Sequence, residues 1–166
     1  MIGYRIVWKS PNKKIINWAV NLIKTNTYDY SRAPCLIYNK KRSLSNKKSI
    51  FIICYLNISP EVGIKPRENE TPVGFAMLRK EKDGLFLYEI HVDKNHQNQG
   101  IGSEMMLKCI KYFNNTNFLN LILFVHKNNK KAINFYKKHG FVLDQKIPCS
   151  SLYYPFKMVN MAYSIK

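Results

Sequence analysis

The chain has 166 residues, 46% of them hydrophobic and 13% aromatic, which suits a single globular domain spanning 1–166. Its four cysteines follow no Cys-x-x-Cys or Cys/His spacing, so we expect reduced packing residues of a cytoplasmic or nuclear protein and no metal site. The net charge of +17 comes from lysines spread along the chain, which is typical of a solvated surface, with weak RNA or ribosome binding as an alternative.

The apolar patterns predict a chain in which strands and helices are mixed. In chain order the predicted elements are a strand at 4–8, a helix opened by Ser10-Pro11 and running to residue 24, a mobile loop or frayed helix at 40–48, strands at 49–56 and 73–79, a hairpin turn at 82–84, a strand at 85–92, a helix after residue 102, a strand at 118–125, a helix at 130–138, and closing strands at 141–143 and 159–165. The segments 25–34 and 57–72 are predicted to be loops, the second because it is rich in proline.

The most informative stretch joins the strand at 85–92 to the helix that follows it, through the hexapeptide QNQGIG at 97–102. The first backbone N–H groups of a helix lack partners and the helix dipole is positive there, so a pyrophosphate fits. Gly100 and Gly102 allow the backbone to approach phosphates without an intervening Cβ. The loop is neither a Walker loop, because no Gly-Lys-Ser/Thr follows, nor a Rossmann fingerprint, because the third glycine is missing.

The order Gln-x-x-Gly-x-Gly after a strand resembles the acetyl-coenzyme A loop of the GNAT acyltransferase superfamily. A second segment, NKKAINFYKKHGF at 129–141, is similar to that superfamily's Asn-x-x-Ala-x-x-Phe-Tyr signature followed by Gly-Phe. The resemblance implies the α/β (α+β) GNAT acyl-coenzyme A N-acyltransferase fold, with a mixed, twisted sheet splayed beside the loop and flanking helices. It also implies acetyl-coenzyme A as co-substrate, without a metal.

Glu89 is the only carboxylate in the strand at 85–92, which is rich in aromatic and aliphatic residues. A carboxylate in such a strand costs stability unless it has a partner or a function. An acceptor amine must lose a proton before it attacks an acetyl group. We therefore predict that Glu89 is the base, or that it holds the water that relays the proton.

Within the superfamily, Tyr88-Glu89-Ile90 is similar to the Tyr-Glu-(Val/Ile) pattern of the N-terminal acetyltransferase D family, which acetylates the α-amine of core histones. Histone-type lysine acetyltransferases place their glutamate three residues earlier, where this chain has Phe86. Short stretches at 18–26, 71–75, 141–144 (with Pro148) and 162–163 resemble the D family in the same order.

These resemblances imply a role for each matching position. The catalytic candidates are Glu89 and Tyr136, the latter as the donor of a proton to the leaving thiolate or, equally, as a plain core aromatic. Coenzyme contacts are expected from the backbone of Ile90, His91 and Val92, from the loop residues Gln97, Asn98, Gln99, Gly100, Ile101, Gly102 and Ser103, and from Asn129. Substrate contacts are expected from Tyr30, Glu81, Tyr88 and Tyr163.

The chain departs from the D family where that family binds its basic substrate. Of the acids before the central strand only Glu81 is present, within the basic segment 79–82. The family's tryptophan-rich loop is replaced by Tyr28-Asp29-Tyr30. A protein of charge +17 is also a poor electrostatic match for a basic tail.

The predicted activity is acetylation of the α-amine of protein N-termini, with histone-like Ser-Gly-Arg-Gly ends as the first candidates. An α-amine has a pKa roughly two to three units below that of a lysine amine, so a carboxylate deprotonates it more easily. Tyr30, Tyr88 and Tyr163 are expected to narrow the substrate groove so that only the end of a peptide chain can enter. The alternatives are a lysine or small-amine acetyltransferase, or an inactive module that binds RNA or ribosomes. No apolar run predicts a membrane span.

Overall fold

A computed structural model of the protein describes residues 2–7, 11–27, 40–56, 70–144 and 158–164, with the backbone alone described for 2–7, 158 and 160. Of the loops predicted at 25–34 and 57–72, residues 28–34 and 57–69 lie outside these ranges, as do Tyr30 and Pro148. Residues 25–27 were wrongly assigned to a loop, since they continue the first helix. Within them, no helix is both long enough and apolar enough to cross a membrane.

The described strands form one mixed sheet in the order β1-β2-β3-β4-β5-β7-β6. They are β1 (Ile2–Val7), β2 (Ser49–Leu56), β3 (Thr71–Glu81), β4 (Gly84–Val92), β5 (Asn120–His126), β6 (Val142–Leu143) and β7 (Met158–Ser164). The helices are α1 (Lys13–Thr27), α2 (Ile101–Asn114) and α3 (Lys130–Lys138), with a 3₁₀ turn at Lys94–His96 and a helical segment at 40–44. Neighbouring strands are antiparallel except β4 and β5, which are parallel. The predicted fold class is confirmed.

Both faces of the sheet are covered, which explains why β2 is apolar at nearly every position. Side chains alternate between the faces of a strand. Ile52 therefore packs into the core formed with α2 and α3, while its neighbour Phe51 packs into the core formed with α1 and the 40–44 segment. Both side chains are fully buried, so β2 is a central strand as predicted.

Of the element boundaries that differ from the prediction, two are explained by hydrogen bonding. The first helix begins at Lys13, and not at Ser10-Pro11, because the side chain of Asn12 accepts a hydrogen bond from the backbone N–H of Ile15 at 3.0 Å and so caps the helix. The strand β3 includes Pro72, predicted to lie in a loop. The register between β2 and β3 shifts at Cys54/Tyr55, opposite this proline, where a missing N–H is tolerated.

The parallel strands β4 and β5 are paired only over Leu85–Leu87 and Leu121–Leu123. Beyond these residues the two strands separate, and the chain leaves the end of β4 through residues 93–100 to start α2. The sheet is therefore open beside the glycine loop, as predicted from the resemblance. An opening outside the carboxyl ends of parallel strands is a recurrent ligand site in α/β sheets.

The strand β4 carries one extra residue relative to β3 just where it separates from β5. Met77 pairs with Glu89 and Leu78 pairs with Leu87, which leaves Tyr88 in a β-bulge. A bulge changes the alternation of the side chains that follow it. As a result, Tyr88 and Glu89 both face the α1 side of the sheet, where Tyr88 joins the core and Glu89 contacts the 40–44 segment.

Candidate active site

The start of α2 presents backbone N–H groups to one spot. Gly100 precedes the helix in the left-handed region, with φ of 82°, and the first helical hydrogen bond runs from the N–H of Glu104 to the carbonyl of Gly100 at 3.0 Å. In the described part of the chain, the N–H groups of Ile101, Gly102 and Ser103 have no acceptor. A Cβ added at Gly100 would meet no atom within 4 Å. Open space and free donors at a helix start suit an anion.

Side chains from the loop and from α1 both bind the end of β4. The carbonyl of Val92 accepts hydrogen bonds from Nε2 of Gln97 at 3.0 Å and from Nδ2 of Asn26 at 2.9 Å. The loop residue Asn98 also adopts a positive φ, of 61°. The side-chain amide of Gln97 thus anchors the loop, and Asn26, at the end of α1, is a site residue that the sequence reasoning did not identify.

The other predicted coenzyme positions have local roles that explain their residue types. The side chain of Asn129 caps α3 by accepting a hydrogen bond from the N–H of Ala132 at 3.1 Å, which accounts for the Asn-x-x-Ala spacing. A Cβ at Gly102 would lie 3.7 Å from the ring of Phe135 and 3.8 Å from Val92, in ordinary contact. Gly102 therefore faces a packed interior, whereas Gly100 faces open space.

The carboxylate of Glu89 is the centre of a buried cluster of charged groups. Its side chain is 7% exposed, and Oε1 forms an ion pair with the ammonium group of Lys40. Oε2 lies 2.9 Å from Nε2 of His91, which packs against the ring of Phe75 at 5.7 Å between centroids. Lys40 was predicted to lie in a mobile loop or frayed helix, and His91 was predicted to contribute its backbone. The structure adds a side-chain role for both residues.

The pKa of Glu89 is set by opposing contributions. Burial alone would raise the pKa, but the charge of Lys40 and the hydrogen bond and charge of His91 lower it to about 2. Glu89 is therefore ionised at neutral pH and is a weak base by itself. Such a carboxylate is suited to holding a cation, a histidine or a water molecule, and less suited to keeping a proton.

Tyr136, on α3, packs against the core on the α2 side, close enough to Glu89 for the carboxylate's charge to act on its hydroxyl. The ring packs against Phe135 at 5.5 Å and Phe141 at 5.9 Å between centroids. Burial raises the pKa of Tyr136 above its usual range, and the negative charge of Glu89 raises it further. The hydroxyl is therefore protonated at neutral pH, as a proton donor must be, and no hydrogen bond within the described part of the chain engages it.

A sequence profile described as the acetyltransferase (GNAT) family matches residues 35–141, which include β2 to α3 and both segments discussed above. The chain belongs to the acetyltransferase (GNAT) family. Membership confirms the predicted superfamily and acetyl-coenzyme A as its co-substrate. The free N–H groups at the start of α2 suit the pyrophosphate of that coenzyme.

Two curated GNAT relatives align with parts of the chain. Peptidyl-lysine N-acetyltransferase YjaB of Salmonella typhimurium is 30% identical over 97 residues, covering 58% of this chain and 60% of the relative. Streptothricin acetyltransferase A of Bacillus subtilis is 31% identical over 72 residues, covering 43% of this chain and 42% of the relative. The chain thus spans less than two thirds of either relative, and the two relatives carry names of different acceptor classes.

Solved structures share the GNAT fold over nearly the whole chain. The PaiA N-acetyltransferase from Thermoplasma acidophilum, in complex with coenzyme A, aligns with a TM-score of 0.67 at 16% identity, covering 99% of both chains. Ard1 from Thermoplasma volcanium aligns with a TM-score of 0.66 at 23% sequence identity, covering 98% of both chains. The ribosomal-protein-S18-alanine N-acetyltransferase from Escherichia coli aligns with a TM-score of 0.65 at 20% sequence identity, covering 99% of this chain and 95% of that one. At these identities the similarity establishes the fold alone.

Of the predicted substrate residues, the structure brings Tyr88 and Glu81 together on the α1 side of the GNAT sheet. The hydroxyl of Tyr88 donates to Oε1 of Glu81 at 3.0 Å. The guanidinium of Arg79 lies 4.5 Å from the centre of the Tyr88 ring and 3.8 Å from the carboxylate of Glu81. Glu81 is therefore paired within the protein, and its charge is shared between a tyrosine and an arginine.

The structure does not bring Tyr163 to the same face as Tyr88. Tyr163, on β7, packs edge-on against Phe113 of α2 at 6.0 Å and against Phe141 at 5.7 Å, in the core on the α2 side. Tyr30 lies outside the described residues. Tyr88 and Tyr163 therefore cannot line one groove on the same face of the sheet, as was predicted. Their roles in substrate binding stay predictions.

Proposed function

We propose that this protein is an acetyl-coenzyme A-dependent N-acetyltransferase whose acceptor is the α-amine of protein N-termini, acting by direct transfer in a ternary complex. The observation that supports the transferase activity is the combination of three features: free N–H groups at Ile101 to Ser103, the separation of β4 from β5, and Glu89 directly after the bulge in β4. The family match supports the same conclusion.

The coenzyme would be held along this opening. The N–H groups of Ile101, Gly102 and Ser103 would bind the pyrophosphate, and the backbone of β4 from residue 90 to 92 would bind the pantetheine. Bound acetyl-coenzyme A supplies the activated acetyl group. Holding the acceptor beside it makes the reaction effectively unimolecular.

Side chains of the protein would then accept the proton lost by the acceptor amine and supply the proton gained by the leaving thiolate. The ionised Glu89, held in place by a hydrogen bond from Nε2 of His91, would receive the proton of the acceptor ammonium directly or through water and release it to solvent. The protonated hydroxyl of Tyr136 would donate to the leaving thiolate.

The low basicity of Glu89 favours an α-amine over a lysine amine. With a pKa of about 2, Glu89 cannot easily remove a proton from a group as basic as the lysine ammonium. An α-amine has a pKa of about 8, against about 10.4 for lysine, so a much larger fraction is already neutral at physiological pH. The similarity in fold to the S18-alanine N-acetyltransferase is compatible with this acceptor.

Lysine acetylation is the second candidate, because the YjaB relative is a peptidyl-lysine N-acetyltransferase at 30% identity. A panel of peptides distinguishes the two. We expect turnover of peptides with a free N-terminus, Ser-Gly-Arg-Gly among them, and none once the terminus is blocked and an internal lysine is kept. Equal rates for blocked and free peptides would replace the α-amine proposal with the lysine candidate.

The inactive RNA- or ribosome-binding alternative makes a different prediction. In that case calorimetry would detect no binding of acetyl-coenzyme A, while RNA would bind with an affinity that falls steeply with salt. We expect the reverse, with coenzyme binding that persists at moderate salt.

A further inference from the structure

Each oxygen of the Glu89 carboxylate has a partner within the described part of the chain. Oε1 forms an ion pair with the ammonium group of Lys40, and Oε2 accepts a hydrogen bond from Nε2 of His91 at 2.9 Å. The side chain of Glu89 is only 7% exposed, so most of the carboxylate is covered. An acceptor ammonium can therefore bind this carboxylate directly only by taking the place of one of the two partners.

His91 is the partner that the core holds in place. Its side chain is 11% exposed, and its ring packs against that of Phe75 at 5.7 Å between centroids. Phe75 is itself fully buried, so a movement of the imidazole away from Glu89 would leave a gap against a core side chain. Such gaps are costly because protein interiors are close-packed. The histidine should therefore keep its hydrogen bond when an acceptor binds.

Lys40 is the partner that can leave. It is the first residue of the helical segment at 40–44, and its side chain is 25% exposed. Buried contacts anchor the opposite end of that segment, where Leu44 is fully buried and the guanidinium of Arg79 donates to the carbonyl of Ser43 at 2.7 Å. A lysine stem is flexible and its ammonium is strongly hydrated. A rotation of this side chain can thus release Glu89 while the segment stays on the sheet.

An exchange of ammonium groups keeps the buried charge of Glu89 compensated. Removing the cation from a buried ion pair is strongly destabilising, because an uncompensated charge is left behind. Lys40 supplies the cation in the absence of substrate, and the acceptor would supply it in the complex. An ammonium group on a chain end or a lysine carries the donors and the charge that this exchange needs. A blocked, neutral chain end carries no such charge.

We infer that the ammonium of Lys40 is an internal competitor of the acceptor, occupying the acceptor's place on Oε1 of Glu89 until a substrate ammonium displaces it. This inference rests on the proposed function, in which Glu89 receives the acceptor's proton. Lys40 keeps its own proton throughout and takes no part in the transfer. The apparent affinity of a ligand falls with the fraction of protein molecules in which its site is available. Lys40 would therefore weaken acceptor binding and act against neutral chain ends.

The test measures acceptor binding without turnover. Full-length protein is saturated with coenzyme A, which has no acetyl group to transfer, and calorimetry gives the Kd of a peptide beginning Ser-Gly-Arg-Gly. Lys40→Met removes the competing ammonium and keeps an unbranched side chain. At about pH 7.5, above the ordinary pKa of a glutamate, we expect this variant to lower the peptide Kd by at least about tenfold.

Two further variants separate competition from a structural role. Lys40→Arg replaces the ammonium with a guanidinium that can grip a carboxylate through two N–H groups, so the peptide Kd should rise by about threefold or more. A structural role for Lys40 predicts instead that methionine weakens binding at least as much as arginine does. Lys41→Met removes the exposed neighbouring lysine and should leave the peptide Kd unchanged.

A double variant tests whether the competition takes place at the carboxylate. In Glu89→Gln there is no ion pair for either ammonium to form at this position. Adding Lys40→Met to Glu89→Gln should therefore change the peptide Kd by less than about twofold, since the two substitutions act on one interaction. Thermal melting establishes that each variant is folded. The affinity for coenzyme A should be the same in all of them, because the loop before α2 is not altered.

Opposite shifts for the methionine and arginine variants, lost when Glu89 is replaced, support the inference. It is overturned if the wild-type protein binds coenzyme and turns over the peptide while Lys40→Met leaves the peptide Kd unchanged or raises it. A decrease that persists in the Glu89→Gln background also overturns it, because the lysine would then act only through general charge repulsion. A failure of the proposed function looks different, since the wild-type protein would then neither bind the coenzyme nor acetylate any peptide.

Discussion

The loop before α2 offers backbone N–H groups that no acceptor within the described residues engages, whereas the carboxylate of Glu89, on the neighbouring strand, has a partner on each oxygen. The first region is made of main chain, and its shape depends on glycine and on capping. The second is made of side chains from two distant parts of the sequence. The loop before α2 can therefore bind an anion without losing a contact, whereas Glu89, if it binds the acceptor as proposed, must exchange one of its own contacts for the substrate.

The strongest way to break the coenzyme side is Gly100→Trp. The side chain would fill the open space before α2, and the positive φ of 82° disfavours any residue other than glycine. We expect coenzyme affinity in calorimetry to fall by about 100-fold or more, because hydrogen bonds to charged groups contribute roughly 1.5–3 kcal/mol each. Gly140→Ala is the matched control. It replaces another glycine of positive φ, next to Tyr163, and should lose stability without losing coenzyme affinity.

The corresponding change on the acceptor side is Glu89→Gln. It keeps the shape of the side chain but removes the proton acceptor, so kcat should fall by about 10²–10⁴-fold. Coenzyme affinity should stay within error of the wild type, because the loop before α2 is not altered. Asp83→Asn, an exposed substitution in the hairpin turn, is the control. Full activity of Glu89→Gln near neutral pH would remove Glu89 from the mechanism.

The same carboxylate should make stability depend on pH. Its pKa is about 2 in the folded protein, below the ordinary value of 4.5, so its stabilising contribution is fully present above pH 4.5 and is lost as the pH falls towards 2. We expect this contribution to be on the order of 3 kcal/mol of unfolding free energy. Urea unfolding at several pH values measures it. Glu89→Gln should flatten the profile in this window, and an unchanged profile would contradict the coupling of Glu89 to Lys40.

Tyr136→Phe should have a smaller effect on kcat. This variant distinguishes a catalytic tyrosine from a residue that only packs in the core. The ring and its packing against Phe135 and Phe141 are kept, so the melting temperature should hardly change. Loss of one hydrogen bond to a developing thiolate should lower kcat by about tenfold. Tyr112→Phe, on the same side of the sheet, should leave kcat unchanged. If both variants keep full rate, Tyr136 is a packing residue.

The sequence was sufficient to predict the free helix start before α2, but it was insufficient to predict the side chains that surround Glu89. The spacing of Gly100 and Gly102 after an apolar strand predicts a free helix start, because local geometry follows from nearby residues. The ion pair between Lys40 and Glu89 joins residues 49 positions apart, and no local pattern indicates it. Glu89 itself could be selected, since a lone carboxylate in an apolar strand requires a partner, but the identity of that partner depends on the packing of the 40–44 segment.

The bulge at Tyr88 shows a second limit of sequence reasoning. Tyrosines on two strands were predicted to line one groove, but the face on which each side chain lies depends on strand register. One inserted residue reverses that assignment. The bulge and the register of β7 place Tyr88 and Tyr163 on opposite faces, and neither feature has a signal in the residues around them.

The carbonyl of Val92 joins the two sides of the site mechanically, since it accepts one hydrogen bond from the coenzyme loop, through Gln97, and one from the end of α1, through Asn26. A shift of the loop on coenzyme binding would therefore move the carbonyl of Val92 and, through it, the side chain of Asn26 at the end of α1. Because linkage is reciprocal, we expect the coenzyme and the proposed acceptor to change each other's affinity by the same factor. Asn26→Ala should bring that factor close to one in paired binding titrations while leaving each ligand able to bind alone.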